Sequence, residues 1–130
     1  MSLEKKRFST GAPWEEIVGY SRAVRSGNII EVSGTIALDQ DGKSTGLGDP
    51  YRQTLDIIYM AKRVLEQAGS GLEDVIRTRI YVTDISQWEE IGRAHGEFFR
   101  QIRPATSMVE VSKLIRRESL VEIEFTAMTD

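Results

Sequence analysis

The sequence predicts an α+β fold: a sheet carrying two helices on one face, built in the order strand, strand, helix, strand, helix, strand, strand. Two long stretches have apolar residues recurring at intervals of three and four, the mark of amphipathic helices. Around them, shorter stretches alternate apolar and polar with a period of two, the mark of half-buried strands. Those strands gather in pairs towards the two ends of the chain.

Residues 4–14 mix charge with Ser, Gly and Pro and read as a loosely ordered lead-in. Ile17–Arg25 reads as the first strand, Gly27-Asn28 as a turn, and Ile29–Ala37 as the second strand. Ile30, Val32 and Ile36 then share one side, with Glu31, Ser33 and Thr35 on the other, and the two strands form a hairpin. Asp39–Lys43 is a further turn. Asp49 as N-cap and Pro50 at the first helical position start a helix. Leu55, Ile58, Ala61, Leu65 and Ala68 give it a core-facing stripe, and Gly69 is placed to cap its end. Val75–Thr83 alternates again, Ile76, Thr78, Ile80 and Val82 against Arg77, Arg79 and Tyr81. Ser86 and Glu89 have the spacing of a capping box. The helix behind it is lined by Trp88, Ile91, Phe98 and Ile102; Trp88, Phe98 and Phe99 are assigned to the core, and Pro104 ends the helix.

The last third holds the final two strands. Val109 and Val111 oppose Met108 and Glu110. Val121, Ile123, Phe125 and Ala127 make a dry face; Leu120, Glu122, Glu124 and Thr126 make the opposite one. Arg116–Ser119 reads as the turn that folds one of these strands back on the other. The outer face of the sheet would carry Glu31, Arg77, Arg79, Tyr81, Glu110, Glu122 and Glu124, either solvated or buried against a partner.

A chain of 130 residues, 40% hydrophobic and 28% charged, fits one domain spanning 1–130 with a core of its own. A net charge of −3 gives no overall attraction to nucleic acid. With no cysteine there is no disulfide, thiolate metal site or Cys nucleophile, and a single histidine, His95, rules out chemistry needing two imidazoles. No apolar run approaches the ~20 residues of a membrane span, so a cytoplasmic protein is expected. No residue set points to a metal or cofactor. Gly42, Gly46 and Gly48 lack the pattern of a phosphate-binding loop.

On residue chemistry alone, Glu122 is either a general base towards water or a sheet-face carboxylate paired with Arg77 or Arg79. Thr106 is either a hydroxyl donor to a ligand oxygen or a strand-initiating Thr without a ligand. Arg103 and Arg22 are cations near candidate positions, or solvated side chains. Tyr20 and Ser33 read as structural hairpin residues, and His95 as a helix-surface or interface histidine.

An ordered set of short matches resembles the Rid family, also called the YjgF or endoribonuclease L-PSP family. They are Gly19–Val24, Val32-Ser33-Gly34-Thr35, Gln53-Thr54, Asp74–Thr78, Phe98-Phe99, Arg103–Val111 and Val121–Glu124. The resemblance implies a chorismate-mutase-like fold and a homotrimer with three small-molecule clefts between subunits. In family members that deaminate imines, an Arg after the Pro-Ala pair grips the substrate carboxylate, a last-strand Glu is associated with the attacking water, and a Tyr and a Ser line the cleft. Tyr20, Ser33 and Glu122 match those roles, whereas Thr106 stands where the deaminases have Arg. The resemblance therefore implies a branch that binds, and in one reading hydrolyses, a small imine or carbonyl metabolite, with Glu122 catalytic and Tyr20, Ser33, Thr106, Arg103 and Arg22 around the ligand. A non-catalytic metabolite-binding trimer and an endoribonuclease or translation inhibitor are the alternatives.

Overall fold

The structure, a computed structural model, describes residues 4–130. Met1–Leu3, which the sequence gives no part in the fold, lie outside the described residues. Six strands form one sheet: β1 (Lys5–Phe8), β2 (Ala23–Ser26), β3 (Ile29–Thr35), β4 (Val75–Val82), β5 (Ala105–Glu110) and β6 (Val121–Met128). Three helices accompany them: α1 (Pro13–Val18), α2 (Pro50–Gln67) and α3 (Trp88–Phe99). The strand order is β1-β2-β3-β6-β4-β5, antiparallel throughout except for the parallel pair β4–β5. This is the predicted α+β architecture.

The last strand in sequence lies in the middle of the sheet. β3 and β4 are both antiparallel to β6 and flank it, so α2 joins two parallel strands across a gap that β6 fills. That placement explains the alternation in β6. Val121, Ile123, Phe125 and Ala127 are all fully buried beneath the helices, each larger side chain contributing about 1.5–3 kcal/mol. Facing them, Ile57, Ile58, Ala61 and Leu65 of α2 and Ile91 and Phe99 of α3 complete the core. Asp49 caps α2 by accepting from Arg52 N at 3.0 Å, and Gly69, at φ 84°, follows its end.

Several expectations are corrected. Residues 4–14 are not a loose lead-in: Lys5–Phe8 pairs with β2, and Pro13 begins α1. Ile17–Arg25 is not one strand, because Gly19 adopts φ 90° as the C-cap of α1 and only Ala23–Ser26 joins the sheet. The strands at 105–110 and 121–128 do not pair with each other, since both edges of β6 are taken by β3 and β4. Arg116–Ser119 does form a turn, with Ser119 N donating to Arg116 O at 3.1 Å, but it lies within a longer return path, 111–120, that is tied to α2 and does not fold β6 back on β5. The buried Gln53 amide donates to Glu118 O at 3.1 Å and accepts from Leu120 N at 2.8 Å.

Two β-bulges reset side-chain alternation. In β4, Val75 and Arg77 face Ala127 and Thr126, so Ile76 is the extra residue and is left 47% exposed. In β3, Val32 and Thr35 face Phe125 and Ile123, so Thr35 turns inward to full burial, against the expected face. Ser86 and Glu89 form no capping box. Asp84 instead accepts from Ser86 N at 3.0 Å at the head of a short 3-10 turn. Trp88 precedes the buried stripe of Ile91, Ala94 and Phe99 and is 55% exposed, outside the core. In α2, Ile57 and Val64 are buried where Leu55 is only partly so. Among the described residues no helix is long and apolar enough to cross a membrane.

Candidate functional site

A cleft of about 790 Å³ opens where the chain entering α1, the β2–β3 hairpin, β6 and the 38–42 loop converge. Its position follows from the β3 bulge. Ser33 and Gly34 together occupy the space opposite the single residue Glu124 of β6, and the local kink turns Gly34 towards the Glu122 side chain. A side chain at Gly34 would collide with the Glu122 carboxylate. Glycine is what lets that carboxylate lie against the β3 backbone.

Glu122 forms no ion pair: the two salt bridges among the described residues are Arg52–Asp56 and Lys62–Glu66. Burial pushes its carboxyl above the ordinary value, Glu124 pushes the same way, and Arg22 holds it back. The pairing with Arg77 or Arg79 is absent. Arg77 donates to Ser107 Oγ at 2.9 Å, Arg79 stands across the ladder from Glu124, and Glu124 accepts the Tyr81 hydroxyl at 2.8 Å.

Arg22 is the cation of the cleft. It is only 8% exposed, and its Nη2 donates to Gly34 O at 2.5 Å. Its Nε is buried without a hydrogen-bond partner. Burial lowers its pKa, opposed by Tyr20, Glu15 and Glu122; a guanidinium remains charged under such a change. The Tyr20 ring centroid lies 5.8 Å from Arg22 Cζ. Ser33 Oγ donates to Ser21 O at 2.7 Å, which spends its proton and leaves it an acceptor towards any ligand.

The wall of the cleft nearest the N-terminus is held by Glu15. It is 6% exposed and accepts from the hydroxyls of Ser9 and Thr10, each at 2.7 Å. Burial alone would raise its pKa, but these bonds, with Thr10 N and Arg22, bring it below the ordinary value. Trp14, stacked under the Arg116 guanidinium at 4.9 Å, forms part of the same wall.

Of the six sequence-predicted residues, Tyr20, Arg22, Ser33 and Glu122 line the cleft together. Thr106 and Arg103 do not. Thr106 lies on β5, the opposite edge of the sheet, hydrogen-bonded to Thr78 Oγ1 at 2.8 Å. Arg103, at φ 57°, is exposed and donates to Arg100 O at 3.1 Å. His95 faces the sheet, not solvent: Nε2 is 3.0 Å from Thr78 Oγ1, and burial pulls its pKa down to about 4. Sequence reasoning missed Gly34, Glu15 and Trp14 as parts of the site. Pro13 followed by two glutamates and then Gly19 was the available signal, since Pro opens helices and Gly closes them. Among the described residues no three His, Asp or Glu side chains gather so as to hold a metal ion.

The sequence family described as endoribonuclease L-PSP matches residues 10–129. The chain belongs to this family, the RidA/YjgF proteins. The Rid-family crystal structure of Rv2704 from Mycobacterium tuberculosis superposes with a TM-score of 0.88 at 46% identity, covering 97% of this chain and 100% of that one. An uncharacterised Streptomyces coelicolor protein is 38% identical over 94% of this chain and 90% of its own length. The 3-aminoacrylate deaminase RutC of Acinetobacter baylyi is 32% identical over 83% of this chain and 85% of its own.

Proposed function

We propose that this Rid-family protein binds and hydrolyses a small imine or related carbonyl metabolite in clefts completed between the subunits of a homotrimer. The observation that carries the reading is Glu122, a half-buried carboxylate with a raised pKa and no ion-pair partner, in the same cleft as a buried, incompletely bonded arginine. A carboxylate so placed suits a general base. Water, deprotonated by Glu122, adds to the C=N carbon; the proton passes on to nitrogen, and the tetrahedral adduct expels ammonia to leave the carbonyl. The overall balance is imine plus water to carbonyl compound plus ammonia. Ser33 Oγ, free only to accept, suits an imine N–H, and the Tyr20 hydroxyl, which has no hydrogen-bond partner among the described residues, suits a substrate oxygen. The deaminase activity named for the RutC relative supports the reaction class.

The trimer is supported by the charged outer face of the sheet, where Glu31, Arg79 and Glu124 stand, and by the edge strand β5. In such an assembly Thr106 enters the ligand site from a neighbouring subunit. Sedimentation equilibrium tests it, and a monomeric mass would remove the shared cleft.

The activity test couples an amino-acid dehydratase, as a source of 2-aminoacrylate or 2-iminobutanoate, to detection of the 2-oxo acid product. The parent, Glu122→Gln and Thr106→Arg are run together. Parent turnover that Glu122→Gln abolishes supports the proposal. Binding without turnover in every variant would leave a non-catalytic ligand-binding protein.

A further inference from the structure

The bulge in β3 is held by a cation to which the proposed reaction gives no task. Arg22 lies at the entry to β2, and its backbone is bonded on both sides. Arg22 N donates to Phe8 O at 2.8 Å, and Ser33 N donates to Arg22 O at 2.9 Å. The side chain is therefore fixed at its root. Its far end reaches the bulge, where Nη2 donates to Gly34 O at 2.5 Å. A bulge interrupts the ladder and leaves backbone groups in need of other partners; for Gly34 O the partner is a guanidinium. Ser33 Oγ, donating to Ser21 O at 2.7 Å, ties down the same stretch.

Gly34 thus meets two charged side chains. Its carbonyl takes Arg22, and its Cα has room for nothing larger than hydrogen beside the Glu122 carboxylate. Among the described residues no salt bridge joins Arg22 to Glu122. The link between them passes through the Gly34 peptide and through the field of the charge. Arg22 is 8% exposed, and its Nε is sealed in the protein without a partner, beyond the reach of a ligand. A buried guanidinium short of hydrogen bonds costs stability, so the needs of the fold do not explain the charge.

On the sheet, Glu124 shares the strand of Glu122, Tyr81 stands opposite Glu122 on β4, and Arg79 stands opposite Glu124. Tyr20 and Glu15 of α1 act on Arg22. Asp39, Asp41, Arg63 and Arg116 also line the cleft. Of all these groups, Glu124 pushes the Glu122 carboxyl further above its ordinary value and Arg22 opposes it. A general base must be ionised to take a proton, so a fixed opposing charge widens the pH range in which Glu122 works.

We infer that Arg22 is a positioning residue for the general base: it pins the Gly34 peptide against which the Glu122 carboxylate lies and supplies a standing positive charge, acting through Glu122 and not on the substrate. This rests on the proposed hydrolysis, in which Glu122 is the base. Arg22, Gly34 and Glu122 belong to one subunit, so the arrangement is complete before any neighbour closes the cleft.

The test follows Glu122 in the full chain by two readouts. One is the side-chain carboxyl carbon resonance that disappears in Glu122→Gln, titrated by NMR without substrate. The other is the pH profile of kcat/KM for 2-iminobutanoate hydrolysis, whose acid limb reports ionisation of the base. In Arg22→Met both should move to higher pH, by about half a pH unit or more. On the acid limb kcat/KM then falls roughly threefold or more beyond any loss on the plateau. Arg22→Lys keeps the charge, and both curves should coincide with those of the parent. Arg22→Gln, neutral and polar, should repeat the methionine result and serves if methionine unsettles the fold. The Gly34 carbonyl carbon should shift upfield in Arg22→Met as it loses its donor. A Glu122 titration unmoved in both neutral variants would overturn the inference. So would a lysine variant displaced as far as the methionine one, which makes the effect one of packing, or an unmoved Gly34 resonance, which removes the bridge. A displaced titration with no turnover in the parent sinks hydrolysis alone; turnover with an undisplaced titration sinks the present inference alone.

Discussion

Two clusters of polar side chains, one in the cleft against β3 and β6 and one towards the β5 edge, differ in one respect. At the cleft, Glu122 is half-buried and Arg22 buried, and both are charged and incompletely partnered. At the opposite edge, His95, Thr78 and Thr106 are neutral and bonded in series, ending on Pro104 O at 3.2 Å. Buried polar groups whose partners are all in place give rigidity, whereas buried charges left short of partners are available to a ligand. On the reading proposed above, the cleft is the reactive region and the edge cluster a structural strut.

Glu122→Gln is the strongest way to break that comparison. General-base catalysis contributes roughly 10²–10⁴-fold, and imine turnover should fall by that much. Stability should move the other way. Because the folded-state pKa of Glu122 is raised, ionising it weakens the fold: the penalty is present above the folded pKa and vanishes below the unfolded one. The glutamine variant should therefore melt higher than the parent at pH 7 and lose that advantage in acid. Turnover within tenfold of the parent would place the base elsewhere.

Gly34→Ala sharpens the same end without touching a charged group. The new methyl group displaces the Glu122 carboxylate, and a misplacement of about 1 Å costs on the order of 10²-fold in rate. Turnover should drop roughly 10- to 100-fold while the circular dichroism spectrum stays that of the parent. An unchanged rate would mean that Glu122 works from another rotamer.

These residues also show what the sequence disclosed. The dry face of β6 was legible because period-two burial depends only on having neighbours, and Val121, Ile123, Phe125 and Ala127 are buried whichever strands flank them. Which strands those are was not legible: pairing with β5 looked natural from proximity in sequence, but the centre of the sheet is set by long-range packing and by Gln53 tethering residues 118 and 120. Bulges were equally hidden, since Ile76 and Thr35 fit the alternation that the extra residue interrupts. At the cleft, Tyr20, Ser33 and Glu122 were reached through motif resemblance, and Arg22 as a nearby cation. The α1 wall was missed because polarity at 4–14 masked a strand and a helix start.

His95→Gln tests the strut. The native imidazole stays neutral down to about pH 4, whereas the unfolded chain takes up a proton near 6.5. The parent thus has this contribution in full above the unfolded value and loses it as pH falls towards 4, by up to about 3 kcal/mol. Glutamine does not titrate. Urea denaturation at pH 7 and pH 4 should show a smaller acid loss in the variant by about that amount, with imine turnover at pH 7 within a few-fold of the parent. Equal acid losses would mean that His95 is already protonated or accessible in the native state.

Thr106→Val is expected to have the smallest effect and gives the finest resolution. Thr106 is exposed and valine suits a strand, so the loss should stay below about 1 kcal/mol. Its proton goes to Pro104 O, so it accepts from Thr78, and Thr78 in turn accepts from His95 Nε2–H. Valine removes the acceptor for the fully buried Thr78 hydroxyl, whose remaining neighbour is that imidazole nitrogen. Nitrogen NMR of His95 should report the Nε2–H tautomer in the parent and a shift towards Nδ1–H in the variant, with Thr78 now donating to Nε2. Retention of the Nε2–H tautomer would show that the series does not run in this direction and that Thr106 is not its terminal orienting group.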